Sequence, residues 1–430
     1  MRGRLIQFGI ICAAALAPGR APGLPMETAN LLSQGFEAHI LTIMPQAKFS
    51  VDERMKRNVE FWIRIYTEYT TAQGLIHDAK YIDKVYEVID FPPAILGDRR
   101  ANRKYSKQVK AKWKDLLHSV HAKRNRPEMM SEEERKVFAL YSDVNEPGKF
   151  LEAASRKRLR IQLGQKDRFI DGLFQSGRYL AVMEEIFRKE GLPVELTRLP
   201  FVESSFNVKA RSKVGASGIW QFMRYTGKLY LKVNDAVDER NDPIRATEAA
   251  AKLLKHNYEA LGNWPLAVTA YNHGREGMMR AVRKIGSEEL EEVVSDYRSR
   301  SFGFASSNFF TELLAAIEVE RNAERYFGSL ERAKPMPSFE VEMAHYVKLD
   351  DLVREIPIDA AKVRELNQGL LEPVYEGTQL VPKGYRLRLP YDGSSPIETA
   401  TQLFLAAYEK MPAELKRDRQ IKYSKYGRRR

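Results

Sequence analysis

Glu203 is a lone carboxylate set among Leu199, Pro200, Phe201, Val202 and Phe206, a setting that bears directly on chemistry. Apolar neighbours disfavour the ionised form of a carboxyl, and burial among them can raise a Glu pKa by one to several units. A carboxyl that keeps its proton near neutral pH can protonate the bridging oxygen of a glycosidic bond. Residue type alone leaves a second place for it, because a single Glu between hydrophobic residues also fits the solvated face of an amphipathic helix. A glycine-punctuated segment, GASGIWQFM from Gly215 to Met223, follows closely. Glycine at such points permits tight turns or the close approach of a ligand.

The elements that must hold these residues read as helices. Asp242 followed by Pro243 fits an N-cap with proline in the first turn, so Asp238 and Asp242 are assigned to capping and turn geometry. Glu248 to Leu261, with Ala249, Ala250 and Ala251, is a strong helix former. Asn263, Trp264 and Pro265 break it, Leu266 to Tyr271 begins another helix, and Leu313 to Val319 closes the bundle. Upstream, Val59, Trp62, Ile63 and Tyr66 recur at helical spacing, as do Leu159, Leu163 and Phe169 less regularly. Breakers at Pro92, Pro127 and Pro147 divide residues 51–189 into about five helices, which predicts an all-helical N-terminal region. His118 and His121 have no third ligand nearby and read as ordinary surface or half-buried residues. Beyond a linker-like stretch at 333–338, Phe339 to Met343 and Tyr385 to Leu389 alternate as strands should, with two short helices between Leu349 and Leu366.

Six blocks occur in register: LPVE, VESSFN, GASGIWQFM, DERNDP, AT followed by AAA, and AYNHG. Together they resemble the catalytic domain of the lytic murein transglycosylases, and within that family the membrane-bound D group. The resemblance covers roughly residues 191–325 and implies a lysozyme-like fold related to goose-type lysozyme. It implies cleavage of the bond between N-acetylmuramic acid and N-acetylglucosamine with one carboxylate, Glu203, as acid and then base. The substrate's N-acetyl group would assist departure, and attack by the C6 hydroxyl would leave a 1,6-anhydro product. By the same resemblance Ser212, Gln221, Met223, Tyr271 and Asn272 bind substrate, and no metal or cofactor is required. Trp220 and Phe222 read as core, and His273 as surface. The C-terminal strands and helices resemble a LysM module, a glycan-binding fold, through VRELN at 363–367 and VPKGYRLRLP at 381–390. The usual Gly-Asp-Thr opening is replaced by Ala344, His345 and Tyr346. Two other readings stand beside the first: a lysozyme-type muramidase, and a non-catalytic protein that binds the wall.

The expected fold class is therefore mainly α: a lysozyme-like helical catalytic domain preceded by an all-helical region and followed by a small βααβ LysM-like module. The boundaries expected are 1–24 for a signal peptide, 25–190 for the helical region, 191–330 for the catalytic domain, 338–392 for the module and 393–430 for a basic tail. Arg2 and Arg4 before the apolar run Leu5 to Ala17 have the form of an export signal. Export would place the protein in the periplasm or envelope of a Gram-negative bacterium. Cys12, the one cysteine of the chain, lies within that run, and Ile11 before it is large for a lipid-anchor site. Without it no disulfide is available. In 430 residues, Lys and Arg number 70 against 57 Asp and Glu, a net charge of +13. That balance favours polyanionic partners, here the peptidoglycan glycan strands and an anionic membrane or wall surface. Nucleic acid is not expected, for want of a binding motif, and the chain is expected to be a monomer.

Overall fold

The computed structural model describes residues 53–420. The proposed signal peptide, Cys12 and the last ten residues lie outside them. The chain is mainly α, as its sequence implies. In chain order the first elements are α1 (Glu53–Thr67), β1 (Gln73–Asp78), β2 (Val85–Asp90), α2 (Arg99–Lys123), α3 (Glu132–Leu140), α4 (Lys149–Ala153), β3 (Leu159–Leu163), α5 (Lys166–Ser176) and α6 (Leu180–Lys189). The spacing of α1 buries Val59, Trp62 and Tyr66, and the proline breakers fall between helices.

This region is not all-helical, which corrects the sequence reading. β1 is the centre of a three-stranded antiparallel sheet in the order β2-β1-β3, with Leu75 opposite Val88 and Ile76 opposite Ile161. Leu159 and Leu163, read as a helical repeat, are the two ends of β3. Five- and six-residue strands give too few positions for a period to declare itself, and β1 is buried at five successive residues rather than at alternate ones. Gly74 is needed where β1 crosses β3, because a Cβ there would lie 2.8 Å from the Ile161 side chain.

The central helices are α7 (Leu199–Ser204), α8 (Arg224–Gly227), α9 (Pro243–Leu261), α10 (Trp264–His273), α11 (Arg275–Ile285), α12 (Leu290–Asp296), α13 (Phe304–Arg321) and α14 (Ala323–Phe327). Asp242 caps α9 by accepting from the backbone N–H groups of Ile244 and Arg245, and Gly262 ends that helix at φ 77°. Asn263 caps α10 in the same way through the N–H of Leu266. α13 is buried on most sides and packs on α1, α7 and α10.

The last elements are β4 (Ser338–Glu342), β5 (Tyr346–Val347), α15 (Leu349–Glu355), α16 (Ala360–Leu366), α17 (Glu372–Tyr375), β6 (Arg386–Pro390), α18 (Ile397–Lys410) and β7 (Lys416–Arg417). β4 pairs antiparallel with β6, Phe339 opposite Leu389. Two expectations change here. The stretch read as a linker is pinned, since the Ala333 N–H donates to the Phe174 carbonyl at 2.9 Å. The stretch read as a tail is folded as far as Arg417: α18 sends Phe404 and Tyr408 into the C-terminal core, and β7 pairs with β5.

That core also takes in Ala236 and Val237 from the loop before α9, and Asp238 N–H donates to the Gly369 carbonyl. Across the same seam the Arg388 guanidinium binds the Asp242 carboxylate at 2.7 Å, and Asp242 is 2% exposed. Arg245 and Arg386 both reach Glu340. Removing one partner of a buried pair strands the other charge and costs about 3 kcal/mol. Arg388→Met is therefore expected to lower the urea midpoint by that equivalent, whereas a loss under about 1 kcal/mol would mean that the seam is solvated.

Candidate functional site

Glu203 lies in the last turn of α7, whose Leu199, Pro200 and Phe201 are buried. Phe201 stacks on Phe169 at 4.7 Å and meets Phe206 edge-on at 4.6 Å. The helix then stops abruptly: Ser205 and Phe206 both have positive φ, 51° and 54°. Two successive non-glycine residues in that region cost roughly 1–3 kcal/mol each. The strain is held by hydrogen bonds from Ser205 N–H to the Phe201 carbonyl, from Phe206 N–H to the Pro200 carbonyl and from Ser204 Oγ to the Ile219 carbonyl. The short helix thus ends with Glu203 fixed and the chain turned away from it.

The residue surface of Glu203 is partly open, yet protein surrounds the carboxyl closely enough that burial pushes its pKa up to about 8. Both hold for a group at the floor of a concavity, reachable from one side and desolvated on the others. Among the described residues the carboxyl makes no hydrogen bond or ion pair that would favour its charged form. A cavity of about 1130 Å³ opens beside it, between α5, the segment 202–211 and residues Glu365 and Gln368 of the C-terminal part.

The glycine-rich loop is joined to α7 through the Ser204–Ile219 hydrogen bond. Arg211 and Phe222 each bridge Ser217, which closes the loop as a small double hairpin. Gly218 has φ 78°, and a Cβ there would stand 1.8 Å from the Arg240 carbonyl oxygen, so no side chain fits. Trp220 is fully buried, stacks on Phe187 and donates to Thr247 Oγ1 at 2.9 Å. Phe222 is buried as well, while Met223 is 42% exposed. Gln221, itself at φ 49°, donates from its amide to the Gly218 and Ala210 carbonyls. Among the described residues no donor reaches its side-chain oxygen.

Tyr271 on α10 donates its hydroxyl to the Trp220 carbonyl at 2.8 Å, tying α10 to the loop. Burial and the nearby Glu203 charge both raise its pKa well above normal, so the phenol stays protonated. Asn272 is exposed and accepts from Ser306 Oγ at 2.8 Å, which joins α10 to α13. Ser212 accepts from the Ala216 N–H within its own turn. The structure therefore gathers Glu203, Tyr271 and the loop 217–222. Ser212, Gln221, Met223, Tyr271 and Asn272 do not line the cavity beside Glu203. His273, read as surface, is half-buried and meets Phe302 edge-on at 5.0 Å.

One group was missed in the sequence. Glu312 on α13 is a second partly open carboxyl, and burial together with the Glu203 charge pushes it up to about 8. The signal that marked Glu203 was present there too, an acid among Phe309, Phe310, Leu313 and Leu314.

Residues 182–294 match the family model described as Transglycosylase SLT domain. A 218-residue stretch is 27% identical to membrane-bound lytic murein transglycosylase D of Escherichia coli K12, covering 50% of this chain and 48% of that protein. A 109-residue stretch is 33% identical to a putative tributyltin chloride resistance protein of Alteromonas sp. M-1, covering 25% of this chain and 53% of that one. The chain thus spans about half the length of the curated relatives it matches. Among solved structures, an inactive mutant of lytic transglycosylase Slt from Pseudomonas aeruginosa overlays with a TM-score of 0.31 at 15% identity, over 49% of this chain and 37% of the other.

The raised pKa of Glu203 has a stability consequence. The folded state keeps this proton up to about pH 8, while the unfolded chain releases it above about 4.5. Wild-type stability should fall as pH rises between those values, because the native state binds the extra proton. Glu203→Gln does not titrate, so its stability relative to wild type should rise by up to about 4 kcal/mol between pH 5 and pH 9 in urea unfolding. A pH-independent difference would place the carboxyl in contact with bulk water.

Proposed function

With a Transglycosylase SLT domain at residues 182–294 as the premise, we propose that this chain is a peptidoglycan lytic transglycosylase. The observation that carries the reading is the Glu203 carboxyl, protonated near neutral pH with no ion pair, beside an open cavity. It delivers its proton to the oxygen bridging N-acetylmuramic acid and N-acetylglucosamine as the C1–O bond breaks. The N-acetyl oxygen of the muramic acid shields the positive charge at C1. The Glu203 carboxylate then removes the proton of the C6 hydroxyl as its oxygen bonds to C1, giving the 1,6-anhydro sugar. Glu203 ends as it began, and no water is consumed. Attack within one sugar has a high effective concentration, so ordering that ring is the main requirement on the protein.

The remaining roles follow the hydrogen-bonding capacity of each group. The free side-chain oxygen of Gln221 and the Tyr271 hydroxyl serve the N-acetyl group, with Trp220 and Ser306 holding Tyr271 and Asn272 in place. Met223 supplies an exposed apolar edge to the sugar ring, and Ser212 retains a hydroxyl proton to donate. Peptidoglycan strands are the substrate, and the cell envelope is the corresponding location. No described helix is long and apolar enough to cross a membrane. The C-terminal part, fused to the catalytic part by a common core, is assigned to supporting the cavity wall through Glu365 and Gln368.

Digestion of purified sacculi followed by mass spectrometry tests the reading. Wild type should release anhydro-muropeptides, and Glu203→Gln should lose at least about 10²-fold in rate while still binding sacculi. Reducing-end products would mean a hydrolase. Undiminished release by Glu203→Gln would exclude Glu203 as the acid.

A further inference from the structure

α2 carries a charge distribution that its own stability does not explain. Over Arg99–Lys123 it holds nine Lys and Arg against a single acid, Asp115, which is +8 of the chain's net +13. At about 100° per residue, Arg99, Arg103, Lys107, Lys110 and Lys114 fall within about 80° of arc. Arg100 and Lys104 widen this stripe to about 140°. All of these residues are exposed except Lys110, which is half-buried. None of them forms an ion pair among the described residues, whereas cations of α2 outside the stripe do. Lys112 reaches Glu133 at 3.2 Å, and Lys123 reaches Glu134 at 2.8 Å.

The stripe works against the helix that bears it. Like charges three and four residues apart repel, and cations at a helix N-terminus oppose the macrodipole. Arg99 and Arg100 open this helix, and no acid lies in its first turn to offset them. The helix is held from elsewhere. Asp98 caps it by accepting from the N–H groups of Arg100 and Ala101, and Trp113, Leu117 and Val120 are buried. Trp113 Nε1 also donates to Glu87 of β2 at 2.6 Å. A cationic face kept against local repulsion, on a helix anchored through its other side, suits an anionic partner.

An apolar tip adjoins the stripe. Pro92, Pro93, Ala94 and Leu96, just before α2, are exposed, and Leu96 is 47% exposed. A carboxylate-bearing glycan would engage the cations alone. A lipid bilayer engages both parts, because its headgroups bear the charge and its acyl boundary accepts apolar side chains.

We propose that this face of α2, with the tip before it, docks on the surface of an anionic phospholipid bilayer. From Arg99 to Lys114 the stripe runs about 22 Å at 1.5 Å per residue, and it lies along the headgroups. Gln108 and Ala111, the exposed residues among the cations, offer nothing large enough to insert, so the helix rests on the surface. Leu96 and its neighbours enter the acyl boundary at one end. No residue of the stripe lines the cavity beside Glu203, so docking leaves the candidate site open. The contact is independent of the reaction proposed above.

Amine acylation of the full chain, read residue by residue by mass spectrometry, tests this contact whatever else holds the chain to lipid. Vesicles of equal parts phosphatidylglycerol and phosphatidylethanolamine should protect Lys104, Lys107 and Lys114 several-fold, and vesicles of phosphatidylcholine should not. Lys112, on the opposite flank of α2, should stay labelled. Raising salt from about 0.1 to about 1 M, which shortens the screening length from about 10 to about 3 Å, should abolish the protection. With Arg103→Gln, Lys107→Gln and Lys114→Gln combined, the vesicle concentration that half-protects Lys104 should rise about 10²-fold, at about fivefold per cation. Leu96→Ser should raise it several-fold with the same salt dependence. The triple variant should lose no thermal stability, because it removes repulsion. Protection by purified sacculi and not by the anionic vesicles would overturn the proposal and assign the stripe to the wall. Equal labelling with and without vesicles, or half-protection unchanged in the triple variant, would overturn it and leave α2 a solvated face.

Discussion

The structure depends on keeping one carboxyl out of water without giving it a cation. A salt bridge to Glu203 would stabilise its charged form and remove the proton the site needs. The fold supplies aromatic walls instead: Phe201, Phe169 and Phe206 under α7, with Trp220 and Tyr271 across the loop. Hydrogen bonds near Glu203 run between its neighbours and not to it. Ser204 holds the Ile219 carbonyl and Tyr271 holds the Trp220 carbonyl, so the loop is fastened to two helices around the acid.

That arrangement has a cost in backbone strain. Ser205, Phe206 and Gln221 are the described non-glycine residues with positive φ, and all lie within the site. Strained positions persist only where the surroundings over-determine them. Here the surroundings include the buried face of α9, whose Thr247 receives the Trp220 indole, and the guanidinium of Arg240, which donates to the Gly215 and Phe222 carbonyls. Arg240 is in turn held by Asp238, and the loop carrying both is clamped by the C-terminal core. Rigidity therefore passes from the C-terminal strands, through Asp238 and Arg240, to the glycine-rich loop.

Much of this was legible in the residues. Glu203 showed itself by its neighbours, the cap of α9 by Asp242 and Pro243, and the break before α10 by Asn263, Trp264 and Pro265. The sheet of the N-terminal part was not legible, because its strands are short and β1 is buried on both faces, which removes alternation. The fold of residues 397–417 onto the C-terminal core was obscured by the basic run that follows from Lys416, although Phe404 and Tyr408 stand four apart on α18. Glu312 was obscured by distance: 109 residues separate it from Glu203, and only the packing of α13 on α7 brings them into one site. Motif blocks order residues along the chain, whereas which of them meet in space is set by tertiary contact.

Infrared spectroscopy at pH 7 tests the central claim most directly, as the difference between wild type and Glu203→Gln. The account predicts a protonated-carboxyl band in wild type that the variant lacks. A carboxylate band in its place would show that Glu203 is ionised at rest, and the acid at the centre of the account would be lost.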